Sequence, residues 1–597
     1  MKEYGDELKL QYTNQGFFMS SDATLLQRLR KFVIEEADAQ REALERQWST
    51  PLSQRVAKGW AIEGIRILKV DKFLVQMRCY TNQSRFREGD LVVLHRGNPK
   101  DPDAIHLDLY YDGGNDLEAG LIRGNPYLLQ AEPDGWILDQ DWFDTSEFYL
   151  AAIDQIADSR RGRSIILPVI QGILYPQIDY ARYQRAREWA SHRDLNESQI
   201  EAISTSYATN LYHLIQGPPG TGKTLVLAHL SDLLVQEGSR VLITGLTHRA
   251  IHNALNKVHQ VNANLPVCKI GDQRHAGDLK VPNFETFDES GFGDLNNGYV
   301  VGATPFALQT QRLMNVEFDV VIFDEASQVT LPLALMGMLA GNKYIFVGDD
   351  KQLPPVTVFA QSKDEVSSIF SLLSGRAQET ILDITYRLND VLTEWPSKTF
   401  YGGKLKSSES SRKRRLHLIG EPSRWDIIFD PEAPAVFVDL DHKNATTRSM
   451  LEAEIVADLV VSLILRGIPP KEIGVVTPFR AQSRLIRTML WRMIDDEEIR
   501  REIIVDTVER MQGQEREVVL VSLATSSPSF AAQIADFLFS PQRLNVAITR
   551  PRTKLILLGS KHVLLSEKYD PELKDRIDML RDLINFCTNI PLQGGLL

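Results

Sequence analysis

The chain has 597 residues, with 67 Lys+Arg against 79 Asp+Glu and a formal net charge of −12. Its 43% hydrophobic and 24% charged residues describe a globular chain of roughly three to five domains, and exclude a disordered or collagen-like one. No apolar run reaches the roughly 18 residues of a membrane span. The N-terminal MKEYGDELKLQY lacks the apolar centre of a secretory signal, so a cytoplasmic protein without membrane contact is expected. Cys79, Cys268 and Cys587 stand far apart, which suits a reducing compartment and gives no four-cysteine metal cluster. Taken alone, the acidic balance argues mildly against a nucleic-acid partner.

In chain order, residues 23–47 (ATLLQRLRKFVIEEADAQREALERQ) carry apolar residues at helical spacing amid dense charge, which predicts a long helix with one buried stripe. Between about 59 and 121, short runs such as ILKVDKFLVQMRCY and DLVVLHRG are separated by Gly, Asn, Asp and Pro, predicting a small β-barrel. Charged helical stretches return over 146–157 and 180–193, so the barrel reads as mounted on a helical stalk. From Leu211 the pattern becomes α/β. Buried strands LYHLIQ, RVLITG, GYVVGAT, DVVIFDE and KYIFVGD each end in polar or Gly-rich residues, the ligand-bearing ends of a parallel sheet. A second series, AVFVDL, IGVVTPF, IIVDTV, EVVLVSL and KLILLGS, implies a second α/β domain. The expected domains are a stalk helix (1–55), a barrel (56–145), a second stalk helix and linker (146–193), and two tandem α/β domains (194–375 and 376–597).

Gly217-Pro-Pro-Gly220-Thr221-Gly222-Lys223-Thr224 lies between the strand LYHLIQ and a helix. Its glycines let backbone N–H groups wrap phosphates; Lys223 would reach the β and γ phosphates and the Thr224 hydroxyl would hold Mg2+. After the apolar strand VVIF come Asp324, suited to the magnesium ion, and Glu325, suited to deprotonating the attacking water. These two segments predict an Mg2+-using nucleoside-triphosphate hydrolase. Gln352, after the next strand, suits a γ-phosphate sensor, and Tyr386, Arg387, Glu515 and Arg550 follow in later segments.

The ordered set GPPGTGKT, DEASQ, GDDKQLPP, TYR, TPFRAQ, QGQE and RLNVAITR resembles a superfamily 1 helicase over roughly residues 194–560. Within it, DEASQ, TPFRAQ and the barrel resemble the branch of the nonsense-mediated-decay helicase and the replication nuclease-helicase. No nuclease, zinc or iron–sulfur appendage is visible. The resemblance implies that the two α/β domains are tandem RecA-like P-loop motor domains, with ATP hydrolysis coupled to 5′→3′ translocation on a single strand of DNA or RNA. It implies an adenine contact for Gln199, stacking on adenine for Tyr386, a γ-phosphate sensor in Gln352 and arginine fingers in Arg387 and Arg550. Glu515 would meet the ribose, and Thr247, Thr304, Thr477, Pro478 and Thr507 would grip the strand's backbone. A monomer is expected.

Departures from the family pattern are Pro551 after RLNVAITR, the ending of TYRLND, and GLTHR after VLITG. The rival reading is a nucleic-acid-stimulated ATPase that clamps without unwinding. The 3′→5′ branch is disfavoured because only about 120 residues separate TYR from QGQE, without a large helical insertion. His248 and His252 sit at metal-pair spacing but lack a third ligand. Glu35-Glu36 and Asp495–Glu498 read as solvated charge runs. SSESSRKRRLHL (407–418) reads as an exposed loop, and two basic stretches, Tyr180–Arg193 and Lys404–Arg415, are the candidate cationic track, so charge should be sharply segregated.

Overall fold

The computed structural model describes residues 22–592 apart from 72, 276 and 360–366; the N-terminal segment read above for a secretory signal lies outside them. The chain divides into two units. One holds the described residues up to 37, with 145–386 and 400–408; the other holds 38–144, 387–399 and the described residues from 409 onward. No described helix is long and apolar enough to cross a membrane.

The first six strands are β1 (Ala61–Asp71), β2 (Leu74–Arg78), β3 (Leu91–His95), β4 (Ile105–Asp112), β5 (Asp116–Arg123) and β6 (Trp136–Gln140). They close into an antiparallel barrel in the order β1-β2-β5-β4-β3-β6. Alternate residues point inward, so Ile65, Val75, Met77, Leu107, Leu109 and Leu138 fill the interior. The barrel belongs to the second unit.

The first unit is built on β7 (Tyr212–Gln216), β8 (Arg240–Thr244), β9 (Val267–Ile270), β10 (Asn283–Phe284), β11 (Tyr299–Gly302), β12 (Val320–Phe323), β13 (Lys343–Gly348) and β14 (Glu379–Ile381). All pairs are parallel, in the order β10-β9-β11-β8-β12-β13-β7-β14. Every residue of β12 and β13 is buried, which is why these strands read as unbroken apolar runs. The sheet extends past residue 375, because β14 pairs with β7. The helix Asp22–Trp48 gives Leu25, Leu29, Phe32 and Val33 to this core, against Ile153 and Ile156 of the helix Ser146–Asp158. Two short strands, β15 (Ile384–Thr385) and β16 (Lys406–Ser407), complete the unit.

In the second unit, β17 (Ala435–Asp439), β18 (Ile473–Thr477), β19 (Ile504–Thr507), β20 (Arg516–Ser522), β21 (Pro551–Gly559) and β22 (Thr588–Pro591) form another parallel sheet, in the order β19-β18-β20-β21-β17-β22. The barrel packs on this sheet's domain through charge. Arg484, on the helix Arg480–Met493, reaches both oxygens of Asp112 at 3.1 and 2.8 Å and also donates to the Asn82 carbonyl. Tyr111 donates to Glu497 at 2.5 Å, Arg501 lies over the Tyr111 ring, and Arg510 donates to the Glu88 carbonyl.

The Asp495–Glu498 run is therefore more than a solvated face, since Glu497 is one of the groups that hold the barrel. Glu36 likewise accepts the backbone N–H groups of Val358 at 2.9 Å and Phe359 at 2.7 Å. The segment SSESSRKRRLHL (407–418), expected as an exposed loop, contains the short helix Glu409–Arg412, and β16 ends at its first residue.

Candidate active site

Neighbouring strands bring the nucleotide-binding motifs of the first unit to one edge. β12, β13 and β7 are adjacent, so Asp324, the 349–352 loop and the phosphate loop leave the sheet side by side. The phosphate loop is fastened there: Gly217 N–H donates to Gly348 O at 2.9 Å, and Gln216 donates to Asp350 at 2.7 Å.

The loop's glycines are structural requirements. Gly220 and Gly222 hold φ of +73° and +84°, and a Cβ on Gly217 would sit 2.2 Å from Lys223 Cγ. The result is a cradle that opens into the helix Lys223–Gln236. Lys223 Nζ donates to Gly217 O at 2.6 Å and Thr221 Oγ1 to Pro218 O at 2.8 Å, so the ammonium is held over the loop.

Gln199 is 1% exposed. It caps its own helix with Asn196 and donates to Thr221 O at 3.0 Å. The residue nominated for adenine thus braces the loop in this structure. Thr385 and Tyr386 do the same from the other side: Thr385 Oγ1 donates to Pro219 O, and Tyr386 N–H to Gly220 O, each at 2.8 Å. The Tyr386 ring is 40% exposed, and its hydroxyl accepts from Asn196 Nδ2 at 3.0 Å. This clasp, invisible in the motif spacing, places an open aromatic face beside the phosphate cradle.

Two buried carboxylates face Lys223. Asp324 is 4% exposed; burial and the neighbouring Glu325 charge push its carboxyl well above the usual range, while Lys223 opposes them. Asp349 is fully buried and is also raised by burial, against Lys223, Gln352 and Tyr401. It accepts from Gln352 Nε2 at 2.7 Å, Tyr401 Oη at 2.8 Å and Lys351 N–H at 3.2 Å. Sequence reasoning passed over Asp349 and Tyr401; the paired aspartates of GDDKQ were the available signal. Glu325 stands at φ +50°, a left-handed conformation rare for a residue with a side chain.

The second unit gathers Arg387, Glu515 and Arg550. Burial would raise the Glu515 carboxyl, but Arg387 at 2.8 Å, with Arg552 beyond it, holds it below the usual range. Arg387 also donates to Thr549 O at 3.1 Å. Arg550 is 1% exposed and donates to Val546 O at 2.9 Å and Gln514 O at 3.3 Å. The nominated second finger is thus bonded within its own domain.

The nominated strand contacts all lie at C-terminal strand ends. In the first unit Thr247 caps the helix His248–Val261, and Thr304 precedes a 3-10 turn after β11. In the second, Thr477 ends β18 and donates to Phe479 O at 2.8 Å, while Thr507 ends β19 and accepts from Arg87 of the barrel at 3.1 Å.

Three of the four arginines of the basic stretch Tyr180–Arg193 have partners: Arg182 lies over the Tyr207 ring, Arg187 pairs with Glu197 and Glu201, and Arg193 lies over Trp189. The fourth, Arg185, is exposed. Lys404, Lys406, Arg412 and Lys413 are exposed. His252 pairs with Asp278.

Two family models, each described as an AAA domain, match residues 199–358 and 366–562. The DNA replication ATP-dependent helicase/nuclease DNA2 of Saccharomyces cerevisiae is 30% identical over 423 residues, covering 65% of this chain and 27% of that protein. An ATP-dependent helicase of Methanocaldococcus jannaschii is 26% identical over 586 residues, covering 81% and 84%. The DNA polymerase alpha-associated DNA helicase A of Schizosaccharomyces pombe is 28% identical over 440 residues, covering 62% and 64%. The chain spans less than a third of the length of the replication helicase/nuclease it matches. Among solved structures, an arterivirus nonstructural protein 10 helicase aligns over 85% of this chain and 80% of its own at 13% identity and a TM-score of 0.38, too distant to bear on mechanism. With its paired AAA domains and these homologies, the chain belongs to the superfamily 1 helicases, in the branch of the replication helicase/nucleases.

Proposed function

We propose that the chain hydrolyses ATP with Mg2+ and couples this to 5′→3′ movement along single-stranded DNA or RNA, displacing a paired strand as it goes. The observation that carries this reading is the convergence, in one unit, of the glycine cradle, Lys223 and the buried carboxylates Asp324 and Asp349. The domain reading carried with it is the one above, with ATP bound by the motor at 194–375, and the protein acts as a monomer in the cytoplasm.

Lys223 and the backbone of Gly217, Gly220, Thr221 and Gly222 hold the phosphates, and Tyr386 stacks on the adenine with Gln199 beside it. Hard oxygen donors suit a magnesium ion, and the Thr224 hydroxyl and Asp324 carboxylate would hold it. The raised carboxyl of Asp324 is the group whose ionised form a divalent cation would favour. Bound there, magnesium neutralises charge on the phosphates. Glu325 takes the proton of the attacking water and Gln352, steered by Asp349, senses the γ-phosphate. Arg387 and Arg550 act as fingers on the transferring phosphoryl group, and Glu515 meets the ribose. Thr247, Thr304, Thr477, Pro478 and Thr507 grip the strand.

The test is strand displacement on 5′-tailed and 3′-tailed duplexes with DNA, RNA and hybrid tracking strands. Strand-stimulated hydrolysis with displacement of the 5′-tailed duplex alone is expected. Stimulated hydrolysis without any displacement would replace the translocase by a clamp.

A further inference from the structure

We propose that Arg85, Arg448 and Arg480 form a backbone-phosphate site for a single-stranded nucleic acid, built jointly by the barrel and the second sheet's domain. This rests on the strand partner proposed above and assigns it a contact beside the threonines nominated above.

Charge accounting carries the argument. Five guanidinium groups gather where the barrel meets the start of the helix Arg480–Met493: Arg85 and Arg87 from the barrel, and Arg448, Arg480 and Arg510 from the motor. The nearby acids are Glu88, Asp90 and Asp506. Asp90 pairs with Arg480 at 2.9 Å and lies 3.5 Å from Arg87, Asp506 lies 3.5 Å from Arg87 and 4.0 Å from Arg510, and Glu88 faces Arg510. The acids are therefore spent on Arg87, Arg480 and Arg510. Among the described residues, no ion pair or hydrogen bond satisfies the Arg85 or Arg448 side chain. A folded chain with more acids than bases has left two arginines unneutralised at one place.

Position supports the assignment. Arg480 donates to the Arg85 carbonyl at 3.3 Å and stands two residues after Pro478. Arg448 directly precedes Ser449, whose N–H donates to Gln482 at 2.8 Å, two residues after Arg480. Thr507 is reached by Arg87 from the same side of the barrel. The cluster thus borders Thr477, Pro478 and Thr507. Arg85 is held below the ordinary guanidinium range by burial and by the charges of Arg480 and Arg448, the condition an incoming phosphate relieves. Guanidinium groups suit phosphate because their fork offers paired N–H donors. Such contacts read charge and geometry, so deoxyribose and ribose strands should be held alike.

The experiment measures binding of labelled oligo(dT) and oligo(rU) across a salt series, using the full chain as wild type, Arg85→Ala/Arg448→Ala and Arg85→Lys/Arg448→Lys. Each phosphate contact on a single strand contributes about 0.7 to the slope of log affinity against log salt, so the double alanine variant should lose about 1.4 of slope for both oligonucleotides. The lysine variant should keep the slope, and strand-free ATP hydrolysis should stay at wild type in both. A wild-type chain that binds strands, with an alanine variant of unchanged slope, overturns the site. A wild-type chain that binds neither oligonucleotide overturns the strand partner itself.

Discussion

Arg484 and Asp112 form a buried ion pair between a motor helix and a barrel strand, with Arg484 Nη1 on both carboxylate oxygens at 3.1 and 2.8 Å. Their side chains are 7% and 1% exposed. Burial holds the Arg484 guanidinium below its ordinary range, with Asp112 opposing that shift. Removing the carboxylate leaves a buried cation with no counter-charge, bonded only to the Asn82 carbonyl. Asp112→Ala should therefore cost about 3 kcal/mol, read as a lower urea midpoint and as faster amide exchange in β4 and the helix Arg480–Met493. Replacing both residues with apolar ones should recover much of that loss. If the single variant keeps wild-type exchange in both elements, the pair does not hold the barrel in place.

Lys223→Ala should abolish ATP hydrolysis, because it removes the ammonium held over the glycine cradle. Glu325→Gln keeps the shape of its side chain and removes the base. It should bind ATP near wild-type affinity while turnover falls by about 10²–10⁴, the range for loss of a general base. Nucleotide binding and single-turnover hydrolysis, measured separately, check the two roles. Turnover near wild type in Glu325→Gln would remove Glu325 from the proton transfer.

Asp349 accepts from Gln352, Tyr401 and the Lys351 backbone at once, so it positions the proposed sensor. Tyr401→Phe deletes one of these bonds and should cost about 1 kcal/mol of stability. Asp349→Ala removes the acceptor that these three donors share and with it one restraint on Gln352; kcat should fall by about tenfold or more while KM for ATP changes little, the signature of a lost transition-state interaction. A rise in KM with kcat intact would instead make Asp349 part of the ground-state binding surface.

Both parallel sheets could be read from the chain because their strands are buried on two faces and so appear as apolar runs with ligand-bearing ends. The barrel showed through its alternation and its Gly- and Asp-rich turns. β9, β14 and β22 escaped notice, being three or four residues long and, in β9, interrupted by a buried lysine, Lys269. The phosphate cradle, Asp324 and Gln352 were legible because phosphate chemistry dictates local spacing. What joins them was not. Thr385 on Pro219 spans 166 positions and Arg484 on Asp112 spans 372, and pairings that distant leave no periodic trace. Glu36 and Glu497 looked solvated for the same reason: a single carboxylate in a charged helix gives no hint of a partner hundreds of residues away.

Tyr386 offers two separable functions to substitution. Its hydroxyl accepts from Asn196, while its ring is the exposed face beside the cradle. Tyr386→Phe keeps the ring and should leave KM for ATP within about twofold of wild type, since one exposed hydrogen bond contributes little. Tyr386→Ala removes the stacking surface, and base–aromatic stacking of about 1–3 kcal/mol predicts a KM raised about tenfold or more. Steady-state kinetics with ATP decide the matter, and equal KM values for the two variants would remove the ring from nucleotide binding.

Lys343 gives a pH test of the first unit. It is buried in β13, donates to Tyr207 O at 2.8 Å, and its ammonium is pushed down to about 7 by burial and by Arg182. An unfolded lysine titrates near 10.4, so between about pH 7 and 10 the unfolded chain binds a proton that the folded chain does not. Stability rises with pH wherever the unfolded state binds more protons. This contribution should therefore grow as pH rises from 7 toward 10, and below pH 7 the folded state must carry a buried ammonium. Lys343→Met should raise stability at pH 7 and flatten the slope between pH 7 and 9, with denaturant midpoints as the measure. Lys554 is pushed down to about 7 by burial in the second sheet and supplies a background slope of the same sign, so the comparison is of slopes between variant and wild type. A wild-type midpoint that falls over this range, with the variant following it, would show that Lys343 keeps its proton in the folded chain.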